Sequence, residues 1–432
     1  MTVATASPHI DIADLRVGMH IHLEGGWLAH PFPLSSFKLA SAKQIDTLRS
    51  LGLARVRWSP EKSDFAVPAA SSAGNGAGVA TDGATAVPLP APAADPVQAA
   101  REARKAALAA QRADLARCEK QFAEAVQACR AITEQVATDP RAAGEQCTAL
   151  SQAFVDRMIG DGRSCIRMLT GGHGDRAATH ALNVAVISLL LGQSFGISPA
   201  EMIDLGVGAL LHDIGKLDLP ERVRHRNEQA SAAETRAYRQ HVAHGVAQGR
   251  RMGLTPNALL VIAQHHEHAD GSGFPSGVSS DRMSIPARIV ALVDRYDNLC
   301  NPHVPAWALT PHEALSLLFT QGRTRYDTTL LNGFIRMMGV YPPGSTVQLT
   351  DDRHALVMAV NASRPLKPRV LVHDRDVPAS EALLLDLQTS PTLGIRRSVK
   401  PLALPGETYD YLSPKPRVAY FFEPAGAVDS TL

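Results

Sequence analysis

Apolar and polar positions divide this chain into regions of different rhythm. From Leu15 to His22 they alternate, as in a half-buried strand. Ser41 can cap a helix through Leu51, with Ile45, Leu48 and Leu51 on one face and Gly52 at its end. Ala54–Trp58 reads as a second strand, so His9–Asp64 predicts a small α+β unit. Val67–Ala94 is built from Ala, Pro, Gly and Ser, with almost nothing to bury, which is the composition of a flexible linker. From Val97 to Val136 the chain is Ala-rich and free of Gly and Pro. Leu108, Leu115 and Phe122 recur there at heptad spacing, and Val126 and Val136 extend the stripe. A long helix follows, which either pairs with a second chain or folds back on its own domain.

Between Gly144 and Gly339 a helical period dominates. Helices are predicted over 178–195, 199–212, 232–252, 256–266, 285–299, 311–320 and 328–338. Beyond them, 347–349, 355–360 and 369–372 read as short strands. The end of the chain, with Pro405, Pro414, Pro416 and Pro424, reads as a loose tail. The fold class is mainly α: a helical bundle with a small N-terminal α+β domain and short C-terminal β-strands. The expected boundaries are 1–66 for the N-terminal domain, 67–95 for the linker and 96–140 for the long helix. A domain over 141–345 carries the chemistry, and 346–432 holds the strands and tail.

Composition narrows the function classes. The formal net charge is +1, so no global field attracts a nucleic-acid polymer or an anionic membrane. A small anion needs a local cluster of charges or metals. The five cysteines are odd in number and form no C-x-x-C pair, which argues against a disulfide framework and a structural zinc site. A reducing cytoplasm fits best. The start of the chain shows no signal peptide. The most apolar stretch, Ala181–Gly192, is interrupted by Asn183 and Ser188 and is too short to span a bilayer. It reads as a buried helix.

The candidate chemistry is a set of imidazoles and carboxylates on separate helices. His180 lies on one helix, and His212-Asp213 ends the next and runs into Ile214-Gly215-Lys216. His241 falls within a third helix. His265-His266-Glu267 ends a fourth, directly before Asp270-Gly271-Ser272-Gly273-Phe274-Pro275. Asp294 lies on a fifth, one turn before Asp297. Such ligands suit first-row divalent metals that stay open to substrate, and a helical bundle can aim them at one interior point. Neighbours in a regular helix diverge by roughly 100°, so His212 and Asp213 converge only at a helix end, where Gly215 lets the backbone turn. His225, His244, His268, His303, His312 and His354 read as ordinary surface or hydrogen-bonded histidines.

The order His180, His212-Asp213, Asp294 resembles the H…HD…D signature of the HD phosphohydrolase superfamily. His241 with His244, and His265-His266-Glu267 followed by Gly271–Pro275, resemble its HD-GYP subgroup, whose activity is hydrolysis of cyclic di-GMP. The segment with Leu15-Arg16-Val17-Gly18-Met19 and Trp27–Phe32 is similar to the small uncharacterised domain that often precedes HD-GYP domains. The resemblance implies that His180, His212, Asp213 and Asp294 hold one metal. Asp213 then bridges to a second, held also by His241, His265 and His266. It makes Asp213 and Lys216 the catalytic pair. Lys216, Asp297, Gly271, Gly273, Phe274 and Pro275 are implied to bind substrate. The subgroup's third-metal Glu is Arg176 here, so two metals are expected. The name-giving Tyr is Phe274, and a basic pair usual after Asp297 is replaced by His303 and Ala306.

The expected activity is a metal-dependent cyclic-dinucleotide phosphodiesterase. Two divalent ions, Fe or Mn, would activate a bridging water to open cyclic di-GMP to the linear dinucleotide, and a second round could give GMP. The alternatives are a weak or inactive cyclic-dinucleotide-binding signalling module, and an HD hydrolase of another nucleotide. The expected partners are cyclic di-GMP and, through the long helix, a second copy or a signalling protein.

Overall fold

The structure is a computed structural model that describes residues 8–23, 36–50, 53, 55–64, 96–160, 164–171, 175–225, 230–361, 365–390 and 392–424. They belong to two compact units, 1–106 and 107–432, and each is described by itself. The expected linker, Leu51, Gly52 and Trp27–Phe32 lie outside the described residues.

The first unit holds β1 (His9–Asp11), β2 (His20–His22), β3 (Ser36–Lys38), α1 (Ala42–Ser50) and β4 (Arg55–Ser59). The strands form an antiparallel sheet in the order β1-β4-β2-β3. Ile45 and Leu48 of α1 pack with Ile12, Leu15, Met19, Ile21 and Trp58. The alternation that began at Leu15 is strand only from His20. Val17 and Gly18 form a turn instead, with Gly18 at φ 96°. That backbone region is open to glycine without strain.

The second unit opens on the body of α2 (Pro96–Gln135). Cys118, Phe122, Ala125, Cys129 and Ile132 of α2, with Val136 just beyond it, are buried at alternating steps of three and four. This stripe folds back on its own unit, where the Phe122 ring meets Phe421 at 6.1 Å between centroids. Then come α3 (Pro140–Gly160), β5 (Ser164–Met168), α4 (Arg176–Ser194) and α5 (Pro199–Leu211). They are followed by α6 (Ala232–Arg239), α7 (His241–Arg251), α8 (Pro256–Gln264) and α9 (Ile285–Cys300), then by α10 (Pro311–Gln321) and α11 (Thr328–Met338). Helix starts follow their caps. Ser198 and Glu201 form a capping box with Pro199 at the first turn of α5, and Thr310, Pro311 and Glu313 repeat it on α10. The single helix expected over 232–252 is two, divided at Gln240.

The remaining elements are β6 (Thr346–Leu349), β7 (His354–Asn361), β8 (Arg369–Val372), β9 (Leu385–Asp386), β10 (Ile395–Ser398), α12 (Gly406–Leu412) and β11 (Tyr420–Pro424). The expected loose tail is thus structured, and Val418–Phe422 are buried. β11 pairs antiparallel with β5, β5 with β7, and β7 also with β6 and β8. Pro424 misled the sequence reading, because proline usually breaks a ladder. Here it sits at the strand's last position, opposite Ser164, where a missing N–H is tolerated. Among the described residues α4 alone is long and apolar enough to cross a membrane, but 72% of that window is buried inside the unit. It is the central helix of the core.

Phe421 joins three elements. Its ring lies 6.1 Å from Phe122, 6.3 Å from Phe154 and 4.7 Å from Phe422. Phe421→Ala is expected to cost about 3–5 kcal/mol, because it opens a cavity and removes aromatic contacts. Denaturant unfolding measures this. A cost below about 1 kcal/mol would mean that the C-terminal strand is not part of the core.

Candidate metal centre

The site begins with a local rule at helix ends. The last carbonyls of a helix lack intrahelical partners. His212 and His265 follow the last residues of α5 and α8, and His241 follows the break after α6. Each donates Nδ1–H back to the carbonyl three residues earlier: Ala209 at 2.7 Å, Tyr238 at 2.6 Å and Ile262 at 2.8 Å. A carbonyl can only accept, so the proton sits on Nδ1 and Nε2 turns to the interior. His180 reaches the same tautomer differently, donating Nδ1–H to Asp297 at 2.6 Å. Such partners fix the ring and raise its basicity as a ligand.

The four Nε2 atoms converge in two pairs. His180 and His212 stand 3.2 Å apart, and His241 and His265 stand 3.4 Å apart. Two facing lone pairs repel unless a proton or cation stands between them. Asp213 lies between the pairs. Its Oδ2 is 3.5 Å from His212 and 3.8 Å from His180, and its Oδ1 is 3.6 Å from His241 and 3.8 Å from His265. Asp294 completes the first group, with Oδ1 3.2 Å from His180 and 3.5 Å from His212. His266 joins the second, and its Nδ1 is 3.9 Å from Asp294. Two ligand groups result: His180, His212 and Asp294, and Asp213, His241, His265 and His266. In the second, Asp213 Oδ1 and His266 Nε2 are buried without hydrogen-bond partners. Buried polar atoms are rarely left so. An all-N/O donor set with buried, unpartnered atoms fits a pair of divalent cations.

Charge balance agrees. Burial alone would lower His180 and His212. Asp294 and Asp297 instead raise His180 to about 9, and Asp213 with Asp294 raises His212 to about 10. Burial and the neighbouring His212 and His241 push His265 down to about 3. Burial and His265 hold His266 well below its usual range. Burial would raise the Asp213 and Asp294 carboxyls, but Lys216 and His212 hold Asp213, and His180 and His212 hold Asp294, well below the usual range. The carboxylates therefore demand positive charge at the centre. Metal binding there displaces protons.

Glycine matters at one close approach. Gly215 has no positive φ. A Cβ on it would lie 2.0 Å from the His241 carbonyl oxygen and 2.3 Å from the Gly245 nitrogen. Its role is therefore to let α7 come close enough to bring His241 to Asp213, and not to turn the chain. Gly271 does turn, at φ 75°. Gly273 is packed against the backbone of His266–His268. Buried Glu267 accepts N–H donors from Ser276 at 2.7 Å and Val278 at 3.2 Å, holding the Gly271–Pro275 turn in place. The Phe274 ring packs at a tilt against His266, with centroids 4.6 Å apart, and the Arg239 guanidinium lies 5.0 Å from its centroid. Lys216 donates to Asp213 Oδ2 and lies 5.4 Å from the Tyr238 ring centroid. Burial opposes its charge, but Asp213 holds Lys216 above its usual range.

Asp297, expected to contact substrate, does not face the site. It is fully buried. Oδ2 accepts from His180, and Oδ1 accepts from Asn183 at 2.7 Å and Asn301 at 2.9 Å. It orients His180. Asn183 was missed, although its interruption of an apolar stretch was the available signal. Asn298, which donates to Asp294 Oδ1 at 2.7 Å, was missed too.

Asp297→Asn tests this assignment. Two amides already donate to Oδ1, so the new amide nitrogen must face His180 Nδ1. The imidazole then has to move its proton to Nε2. Metal affinity at the His180 group should fall about 10–100-fold, with the second group retained. Calorimetric titration of metal-free protein separates the two. Unchanged metal affinity with a raised substrate KM would contradict the assignment.

A family model described as an HD domain matches residues 164–330, and a domain of unknown function, DUF3391, matches residues 7–147. A cyclic di-GMP phosphodiesterase of Pseudomonas aeruginosa is 28% identical over 375 residues, covering 84% of each chain. A 3′3′-cGAMP-specific phosphodiesterase of Vibrio cholerae is 29% identical over 173 residues, covering 40% of this chain and 36% of its own. A solved HDG“Y”P protein of Bdellovibrio bacteriovorus covers 76% of this chain and 97% of its own, with 14% identity and a TM-score of 0.42. This chain carries an HD domain preceded by a DUF3391 domain, and its homologues are HD-GYP cyclic di-GMP phosphodiesterases.

Proposed function

We propose that the second unit hydrolyses a cyclic dinucleotide, cyclic di-GMP, using two divalent ions, Fe or Mn. The observation that carries this is the pair of ligand groups set on either side of one carboxylate, Asp213. The substrate class is supported by the Pseudomonas relative, which matches over 84% of both chains. The absence of thiolate from the donor set supports Fe or Mn over structural Zn, and its imidazoles disfavour Mg. The five cysteines are buried and unpaired, which supports a reducing, cytoplasmic setting.

Cations bound at the two groups supply a lowered pKa for water and positive charge for the phosphate's non-bridging oxygens. The chain's own residues do the rest. Asp213 presents one oxygen to each group. Lys216 Nζ stays protonated beside Asp213, ready to neutralise a phosphate oxygen. Phe274 packs its ring against that of His266 at the edge of the centre. In the net reaction a water oxygen bonds to phosphorus, one ester P–O bond breaks, and the sugar oxygen leaves with a proton. The ring becomes a linear dinucleotide.

Protein purified without oxygen and loaded with Fe or Mn should convert cyclic di-GMP to the linear product. Lys216→Ala should lower kcat about 100-fold while keeping both metals. Chromatography and elemental analysis read both results. A metal-replete wild type that binds cyclic dinucleotides but yields no product would replace this reading with a sensing module.

A further inference from the structure

The mouth of the centre carries cations that the proposed chemistry does not use. Arg176, the first residue of α4, stands one turn before His180 and on the same face. Its Nη1 donates to His303 Nδ1 at 2.7 Å, and its Nη2 reaches the Asn301 carbonyl at 3.4 Å. Its Nε is buried without a partner. His303 stacks on His225 with centroids 4.0 Å apart and planes 13° apart. Arg417 enters from the C-terminal segment. The next residue, Val418, is tied to Asn301 by its N–H at 2.9 Å and its carbonyl at 2.9 Å. Asn301 is the same residue whose carbonyl Arg176 approaches.

The charge of Arg417 opposes that of Arg176, and both act on His303. Among the described residues no carboxylate forms an ion pair with either guanidinium. Asp297 and Asp213 offset part of the Arg176 charge without pairing to it, and a bound anion beside both guanidinium groups offsets the remainder. A guanidinium fork suits phosphate oxygens. A neutral nucleobase does not supply the missing charge. His303 accepts at Nδ1 from Arg176, so its Nε2–H is left to donate outward.

We propose that Arg176, Arg417 and the stacked His225–His303 pair form a subsite for the second phosphodiester of a cyclic dinucleotide, the one not being cut. The inference rests on the hydrolase reading above. A ring with two phosphodiesters that places one at the metal ligands carries the other away from them, and this cluster borders His180. It stands where the basic pair usual after Asp297 is lacking, and it draws its charge from two other elements.

The test compares cyclic di-GMP with bis(p-nitrophenyl) phosphate, which has a single phosphodiester. Arg176→Gln and Arg417→Gln are made in the full chain, loaded with Mn, with metal content measured. Each variant should raise KM for cyclic di-GMP about tenfold or more. Each should also lower the ratio of kcat/KM for cyclic di-GMP to that for the single diester by a similar factor, with two metals still bound. Arg417→Lys should recover part of the loss. Equal losses on both substrates, or a KM for cyclic di-GMP within about twofold of wild type, would overturn the subsite. Should the wild type leave cyclic di-GMP uncut, the hydrolase reading fails by itself. Calorimetric Kd values then judge the subsite: cyclic di-GMP binding weakened about tenfold in Arg417→Gln supports it, and equal binding overturns it.

Discussion

The centre depends on a hydrogen bond of ordinary kind, from histidine Nδ1–H to a helix-end carbonyl. At His212, His241 and His265 that bond satisfies a carbonyl the helix cannot satisfy itself. It also settles which nitrogen is bare. Three helix ends that meet in space therefore deliver three bare Nε2 atoms to one interior point. Local backbone chemistry supplies both the stop of the helix and the tautomer of the ligand. The break at Gln240 belongs to the same logic, because an unbroken helix would leave Tyr238 without a free carbonyl for His241.

His180 is the exception, and it links the centre to the rest of the unit. It sits inside α4, where no carbonyl is free, so its Nδ1 needs a side-chain acceptor. Asp297 provides it and is held by Asn183 and Asn301. These two asparagines also bond the backbone of Val418 and Tyr420. The C-terminal strand is thereby stitched to α4 and α9 directly behind a metal-facing histidine. Loss of that strand would loosen a ligand as well as the core. Arg417 directly precedes the stitched Val418.

Much of this was legible in the sequence. Capping residues with a following proline marked the starts of α5, α8, α9 and α10. The imidazoles and carboxylates brought together in the two ligand groups were all readable as candidates, because their residue types and order constrain chemistry. What was not legible depended on contacts far apart in the chain. Asp297 looked like a substrate contact because its partners, Asn183 and Asn301, are visible only once α4 and α9 pack. The buried run around Phe421 was obscured by the prolines on both sides, since strand pairing with β5 leaves no local period in so short a segment. Arg176 and His303 are 127 positions apart in sequence, so their hydrogen bond has no local trace. Gly215 was read as a turn residue, whereas what it meets is the backbone of α7.

The central claim is that helix-end hydrogen bonds at His212, His241 and His265, and Asp297 at His180, aim four Nε2 atoms at two cations that share Asp213. Anomalous diffraction from crystals of Mn-loaded protein tests it most directly. The account predicts two anomalous peaks, each within bonding distance of two of those Nε2 atoms, with one Asp213 oxygen towards each peak. Ligation through Nδ1, or a single peak with Asp213 turned away, would contradict it.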